Sequence, residues 1–403
     1  MRAGPSTGRP SSTPPRRGWE RRAKDALLPL ACRVFLPPDL REQPTPARPL
    51  LRARRILVVR QDHRLGNLIL ITPFLQALRQ VAPEARITLF FGERFEGVLR
   101  GAPWFDDTIV MHKRRLIRQP WTYPAHVSEI RNGRFDVAIE LSNPDTHSFY
   151  NTLVPVISRA PVRVGFDHPR SRAALNAPVA PPRVECHYSR TPLLLLSALG
   201  ESPPILPMRL PWTPEPVVRG RPLLFHPGGR GEKRWPVEKS CALIRALRDR
   251  RVPLLVAGGP GERALLEEIT RRLPGIPTRL LGSVRELAAV AAGCRLYVGC
   301  DAGPLHVVSA VGVPTIALFF TSHPLRYGPL GADSETLLLG PRSRRRARED
   351  RFPGTNGAGR LAWDERFAQE LTRARPRCVS PPSGLDDQAE VAFVRDRILE
   401  ALR

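Results

Sequence analysis

Lysine is scarce in this chain: among 63 lysines and arginines only Lys24, Lys113, Lys233 and Lys239 are lysine. So one-sided a choice of cation reads as the coding bias of a GC-rich genome, and a formal net charge of +25 then says less about nucleic acid than it first suggests. The arginines are scattered, no zinc-finger spacing occurs, and no aromatic RNP-like motif lies among them, so nucleic acid is not the expected partner. Phospholipid or phosphorylated glycolipid remains compatible with the surplus charge. Cysteine is also sparse. Cys32, Cys186, Cys241, Cys294, Cys300 and Cys378 lie far apart, with no CxxC pair and no clustering with histidine, which argues against a zinc site or a disulfide framework. No stretch approaches the ~20 apolar residues that cross a bilayer, and the start lacks the apolar core of a signal peptide. The expectation is a cytoplasmic protein, touching the membrane at most peripherally.

What is present is length and proline. The 403 residues suffice for two domains, and 45 prolines imply that part of the chain is loop or tail. Residues 1–52 read as a disordered Pro/Arg-rich tail; the alternative is that 25–36 (DALLPLACRVFL) lies on an anionic membrane, although Pro29 weakens a helix there. Strand-like and helix-like stretches then alternate. Strands are expected at 56–60, 87–91, 137–141 and 162–166, with a helix over 67–81, which predicts a parallel sheet with crossover helices over residues 53–202. A proline-rich linker spans 203–222. The same pattern restarts over 223–340, with strands at 223–226, 253–257, 295–298 and 315–319. Residues 341–377 read as a flexible charged insertion and 378–403 as a C-terminal helix that could pack back across the linker. Two such α/β domains put the carboxyl ends of both sheets on a shared cleft.

The most specific segment is 298–318 (VGCDAGPLHVVSAVGVPTIAL). A strand ends, a turn with Asp301, Gly303 and Pro304 follows, and a helix begins near Leu305. Glycine admits close backbone approach, and the free N–H groups of a helix start suit a diphosphate, to which His306 could donate. Lys233 lies in a loop just after a strand, and its rarity here suggests that a compact point charge is wanted. Glu262 either meets ribose hydroxyls or favours a helix N-terminus, and Asp301 either positions its turn or meets a sugar hydroxyl.

The run CDAGPLHVVSAVGVPTIALF resembles the D-[ST]-G-P-x-H motif of the lipopolysaccharide heptosyltransferase family, glycosyltransferase family 9, with Ala302 where a hydroxyl usually stands. Residues 224–236 (LFHPGGRGEKRWP), 256–262 (VAGGPGE) and 54–78 (RRILVVRQDHRLGNLILITPFLQAL) resemble three further blocks of that family, in order. The resemblance implies a GT-B architecture of two Rossmann-like domains and an inverting glycosyltransferase that needs neither metal nor other cofactor. It implies a nucleotide-sugar donor such as ADP-heptose, held by Lys233, Glu262, Asp301, Gly303, Pro304 and His306. A glycolipid or polysaccharide acceptor would meet the N-terminal domain, where Arg60, Arg64, Arg94, Arg114 and Arg115 are candidate contacts.

One position departs from the family. Its first loop normally ends L-G-D, and that aspartate is the expected general base, whereas this chain has Asn67, whose amide has no useful basicity. Asp62 or His63 in the same loop could supply the base, with Asp62 preferred; Asp145 or His147 could do so from another loop; or the chain is a non-catalytic nucleotide-sugar-binding or scaffold relative.

Overall fold

The computed structural model of the protein describes residues 16–41, 43–62, 64–93, 96–351 and 361–403, with side chains described from residue 26 onward. Two parallel sheets organise these residues. The first holds β1 (Arg55–Arg60), β2 (Arg86–Gly92), β3 (Asp107–Met111), β4 (Val137–Glu140), β5 (Val162–Phe166) and β6 (Ala177–Val179) in the order β3-β2-β1-β4-β5-β6. The second holds β7 (Leu223–His226), β8 (Leu254–Gly258), β9 (Thr278–Leu280), β10 (Leu296–Cys300), β11 (Thr315–Phe319), β12 (Glu335–Leu338) and β13 (Arg377–Val379) in the order β13-β12-β11-β10-β7-β8-β9. Their central strands are continuous apolar runs, as strands covered on both faces must be: in β1, Val58 faces Leu89 on one side and Ile139 on the other. Strand order reverses between β1 and β4, and between β7 and β10. These are the points at which doubly wound sheets open a ligand crevice beyond their carboxyl ends.

The helix expected over 67–81 is two helices, Leu65–Leu70 and Thr72–Val81. Pro73 has no N–H to continue the first helix but fits the opening turn of the second. The linker is extended and runs along that second helix, where Gln76 donates to the carbonyl of Pro207 and the amide of Arg209 donates to Thr72.

The chain departs from the sequence reading at both ends. A helix spans Arg16–Phe35 despite Pro29, so the expected tail is ordered over much of its length; residues 1–15 lie outside the described residues. Leu28, Cys32 and Leu36, four apart, bury themselves against Val156 and Ala174 of the first domain, and that packing outweighs the backbone bond lost at proline. Arg163, buried in β5, donates to the carbonyl of Leu40, and Asn176 donates to that of Gln43. The expected insertion is likewise structured where described. It contains the helices Pro341–Ala347 and Glu365–Arg373, then β13. Leu361 bridges to Val179 and Trp363 donates to the carbonyl of Ala180, so this stretch crosses back onto the first domain; residues 352–360 lie outside the described residues. The last helix, Asp387–Ala401, stays with the second domain: Val391, Val394 and Ile398 enter its core, and Trp235 donates to Glu390.

Candidate active site

The carboxyl end of β1 runs straight into a tightly bonded loop. Arg60 is buried, and its guanidinium donates to the carbonyl of Leu141, to Asn143 Oδ1 at 3.2 Å and to Asp62 Oδ2 at 3.4 Å. The amide of Arg64 donates to Asp62 Oδ1 at 2.9 Å, and Asn67 Nδ2 donates to Asp62 Oδ2 at 2.6 Å. Asp62, the preferred base candidate, and Asn67, the residue in place of the family's aspartate, therefore form one unit. Asp62 is the carboxylate, and Asn67 and Arg60 fix its orientation. Arg60 faces inward and supports this loop, contrary to its expected place as an acceptor contact, because β1 delivers it between the ends of β1 and β4. Arg64 is exposed on the rim. His63 and Arg94 lie outside the described residues.

The facing side is built from the ends of β7, β10 and β11. Lys233 Nζ donates to Asp301 Oδ2 at 2.5 Å, and Ser322 donates to the same oxygen. Asp301 is buried and makes no capping bond to the Gly303–Val311 helix, so its carboxylate serves as a hub that joins three loops. The lysine side chain is 41% exposed and keeps donors free to meet an anion. Pro304 occupies the first turn of that helix, where its missing N–H costs nothing. Glu262 accepts from the amide of Gly259 at 3.0 Å and closes the turn after β8, which favours the structural side of its two readings.

The two sides meet at glycines. A methyl group on Gly66 would lie 2.5 Å from Cδ2 of His306, and one on Gly303 would lie 3.0 Å from Cβ of Leu65. The Leu65–Leu70 and Gly303–Val311 helices thus approach as closely as backbone allows, with the His306 ring between them. Beside this contact lies a buried ionic cluster that no spacing in the sequence signals. Arg326, after β11, donates twice to Glu185 at 2.6 Å, to Asp145 at 2.6 Å and to the hydroxyl of Tyr188 at 2.9 Å, while Tyr188 donates to Asp145 at 2.6 Å. Asp145 is thereby committed to a clasp between domains, which removes it from the candidates for a base. His147 stacks on His168. A cavity of about 360 Å³ between Arg55, Arg86, Asp107 and Phe135 lies at the amino ends of β1 to β3, the end away from where such sheets bind ligands.

Burial holds His306 neutral, its pKa pushed down to about 4 against the pull of Asp301 and with the help of Lys233. Burial likewise lowers His187 to about 3 and His323 to about 4. Each ring stabilises the fold fully above its unfolded pKa of 6.5 and loses that contribution as pH falls toward the folded value, because only the unfolded chain then takes up the proton. Glu140 acts oppositely: burial raises it from 4.5 to about 6, so its neutral form adds stability below about 6, and the buried Glu185, also raised, works in the same sense. Three rings outweigh these carboxyls. Thermal melting is expected to fall between pH 6.5 and 4.5, and His306→Phe to make that fall shallower; an unchanged slope in the variant would refute the assignment.

Among the described residues no group of three or more His, Cys, Asp or Glu side chains could hold a metal ion, and no helix is long and apolar enough to cross a membrane. Two facing doubly wound domains, with a carboxylate on one side and a lysine and helix start on the other, have the architecture of the GT-B class. Residues 213–354 match the model of glycosyltransferase family 9 (heptosyltransferase). Lipopolysaccharide heptosyltransferase 3 of Escherichia coli is 23% identical over 286 residues, covering 66% of this chain and 83% of that one. A family 9 glycosyl transferase from Veillonella parvula superposes with a TM-score of 0.62 at 20% identity, over 86% of this chain and 97% of that one. E. coli heptosyltransferase WaaC, solved with ADP, gives 0.61 at 18% identity, over 85% and 99%. Through its second domain the chain is thus similar to glycosyltransferase family 9.

Proposed function

We propose that this glycosyltransferase moves heptose, or a closely related sugar, from an ADP-linked donor to the core of a lipopolysaccharide-type glycolipid, with inversion at the anomeric carbon. The observation that carries the reading is that Asp62, bonded to Asn67, and the Lys233–Asp301 pair lie beyond the strand ends of the two domains, which meet where Gly66 touches His306. Asp62 takes the proton from the acceptor hydroxyl as its oxygen attacks the anomeric carbon and the bond to the diphosphate breaks. Lys233, held by Asp301, and the amides at the start of the Gly303–Val311 helix take up the charge that grows on the leaving diphosphate, the work a divalent cation does elsewhere. His306, uncharged and buried, donates one hydrogen bond to a phosphate oxygen without adding a second cation. Arg64, exposed on the rim, meets the acceptor. The names of the relatives support the substrate class, since they act on lipopolysaccharide and WaaC was solved with ADP.

Calorimetric titration of nucleotide-diphosphate sugars in the presence of a chelator tests the donor half. ADP-heptose is expected to bind selectively, and Lys233→Ala to weaken it by roughly 10- to 100-fold, the loss of one or two charge-assisted hydrogen bonds. Failure of every nucleotide sugar to bind would overturn the proposal. The amide at Asn67 favours a second reading, a donor-binding relative without turnover; it predicts the same titration and no transfer to any core glycolipid.

A further inference from the structure

The Lys113–Arg118 helix and the turn after it, which include the candidate acceptor contacts Arg114 and Arg115, carry a surface that stands apart from the Asp62 loop and the Lys233–Asp301 pair. Ile117 is 66% exposed, Trp121 72% and Tyr123 41%. Lys113, Arg114, Arg115 and Arg118 surround them, and no carboxylate occurs from residue 113 to residue 128. Among the described residues none of these four cations pairs with an acid. Lys113 stands over the Tyr150 ring at 5.6 Å. Leu116 alone turns inward, into the cluster of Ile109, Met111 and Ile130, and this fixes the helix so that its other residues face out.

The segment begins two residues past the carboxyl end of β3, and therefore on the rim that carries Asp62 beyond β1 and Asn143 beyond β4. A tryptophan and a tyrosine beside an isoleucine, ringed by cations, match the boundary of a bilayer, where aromatic rings sit at headgroup depth and anionic lipids attract arginine. Nucleic acid would answer the arginines but offers nothing to Ile117. We infer that residues 113–123 seat the N-terminal domain on an anionic phospholipid surface. The cleft rim then faces the headgroup layer, in which an acceptor glycolipid is carried; only this last consequence rests on the proposed function.

The full chain is sedimented with phosphatidylcholine vesicles, with and without phosphatidylglycerol. Binding to the anionic vesicles alone is expected, weakening with salt. Arg114→Ala/Arg115→Ala/Arg118→Ala should lose on the order of 100-fold, about fivefold for each cation, and Ile117→Ala/Trp121→Ala about tenfold or more. Donor affinity of both variants should match the wild type, since neither set touches the donor lip. Loss of donor binding in the wild type itself would end the transferase reading and leave this one standing. Equal vesicle binding by variants and wild type, or no binding to either vesicle, would overturn the inference. So would duplex DNA that displaces the vesicles, or loss confined to Leu27→Ser/Leu30→Ser/Val34→Ser, which alters the exposed stripe of the first helix instead.

Discussion

Replacing Asp62 by asparagine is expected to lower kcat by about 10²- to 10⁴-fold, the span of general-base catalysis, and to leave donor affinity within about twofold. The argument is geometric. Asp62 sits beyond the carboxyl end of β1 and accepts from Asn67, Arg60 and the Arg64 amide, so its carboxylate points in one direction. In Asp62→Asn those donors face an amide that cannot take a proton. Asn67→Ala should cost less, about tenfold, because the base survives but is less well held. Asn67→Asp is the more telling variant. It sets two carboxylates where the amide now bonds at 2.6 Å, and two like charges that close cannot both ionise freely. The acid limb of its kcat/KM profile should move upward from that of the wild type. Full turnover in Asp62→Asn would exclude Asp62 as the base.

Arg326→Ala is expected to destabilise the protein by about 3–5 kcal/mol in chemical denaturation, the cost of leaving a buried partner charge alone. Glu185 is 1% exposed at its side chain and receives two of the arginine's hydrogen bonds, so its carboxylate has no water to turn to. Burial already raises Glu185 and Arg326 pulls it back, so without Arg326 the carboxyl should stay protonated at higher pH. The loss should also change the shape of the transition, because Arg326 joins the second domain to Glu185, Asp145 and Tyr188 of the first. Calorimetry should show one melting event in the wild type and two in the variant. Arg326→Ala/Glu185→Leu should recover much of the stability, since the orphaned charge is gone. A variant that melts within about 1 kcal/mol of wild type, in one transition, would show that the cluster contributes nothing to domain docking.

Most of the central strands and the turn after β10 were legible in the sequence because their signals are local. An apolar run bounded by turn residues specifies β1 or β10 without help from elsewhere, and the Asp301–Gly303–Pro304–His306 spacing places a strand end, a tight turn and a helix start within six residues. Lys233 stood out only because arginine is used nearly everywhere else. The clasp was illegible for the opposite reason. Arg326 and Glu185 are 141 positions apart, and no spacing relates them. The N-terminal helix was hidden by its own composition: Leu28, Cys32 and Leu36 show their four-residue rhythm only once Arg33 is read as the outer face and Pro29 as tolerated. Arg60 was misread because a sequence does not say whether the last residue of a strand ends in solvent or between two strand ends.

The bare backbone at Gly66 makes the molecule an interlock. The imidazole of His306 rests against it, and one residue further along hangs the amide that steadies Asp62. Under the proposed function, a hinge movement wide enough to admit a bulky donor would break that touch and carry Asp62 away from the Lys233–Asp301 pair in the same stroke. On that reading a half-shut protein would not spend its donor on stray water, because the carboxylate able to activate that water would have left with the other half.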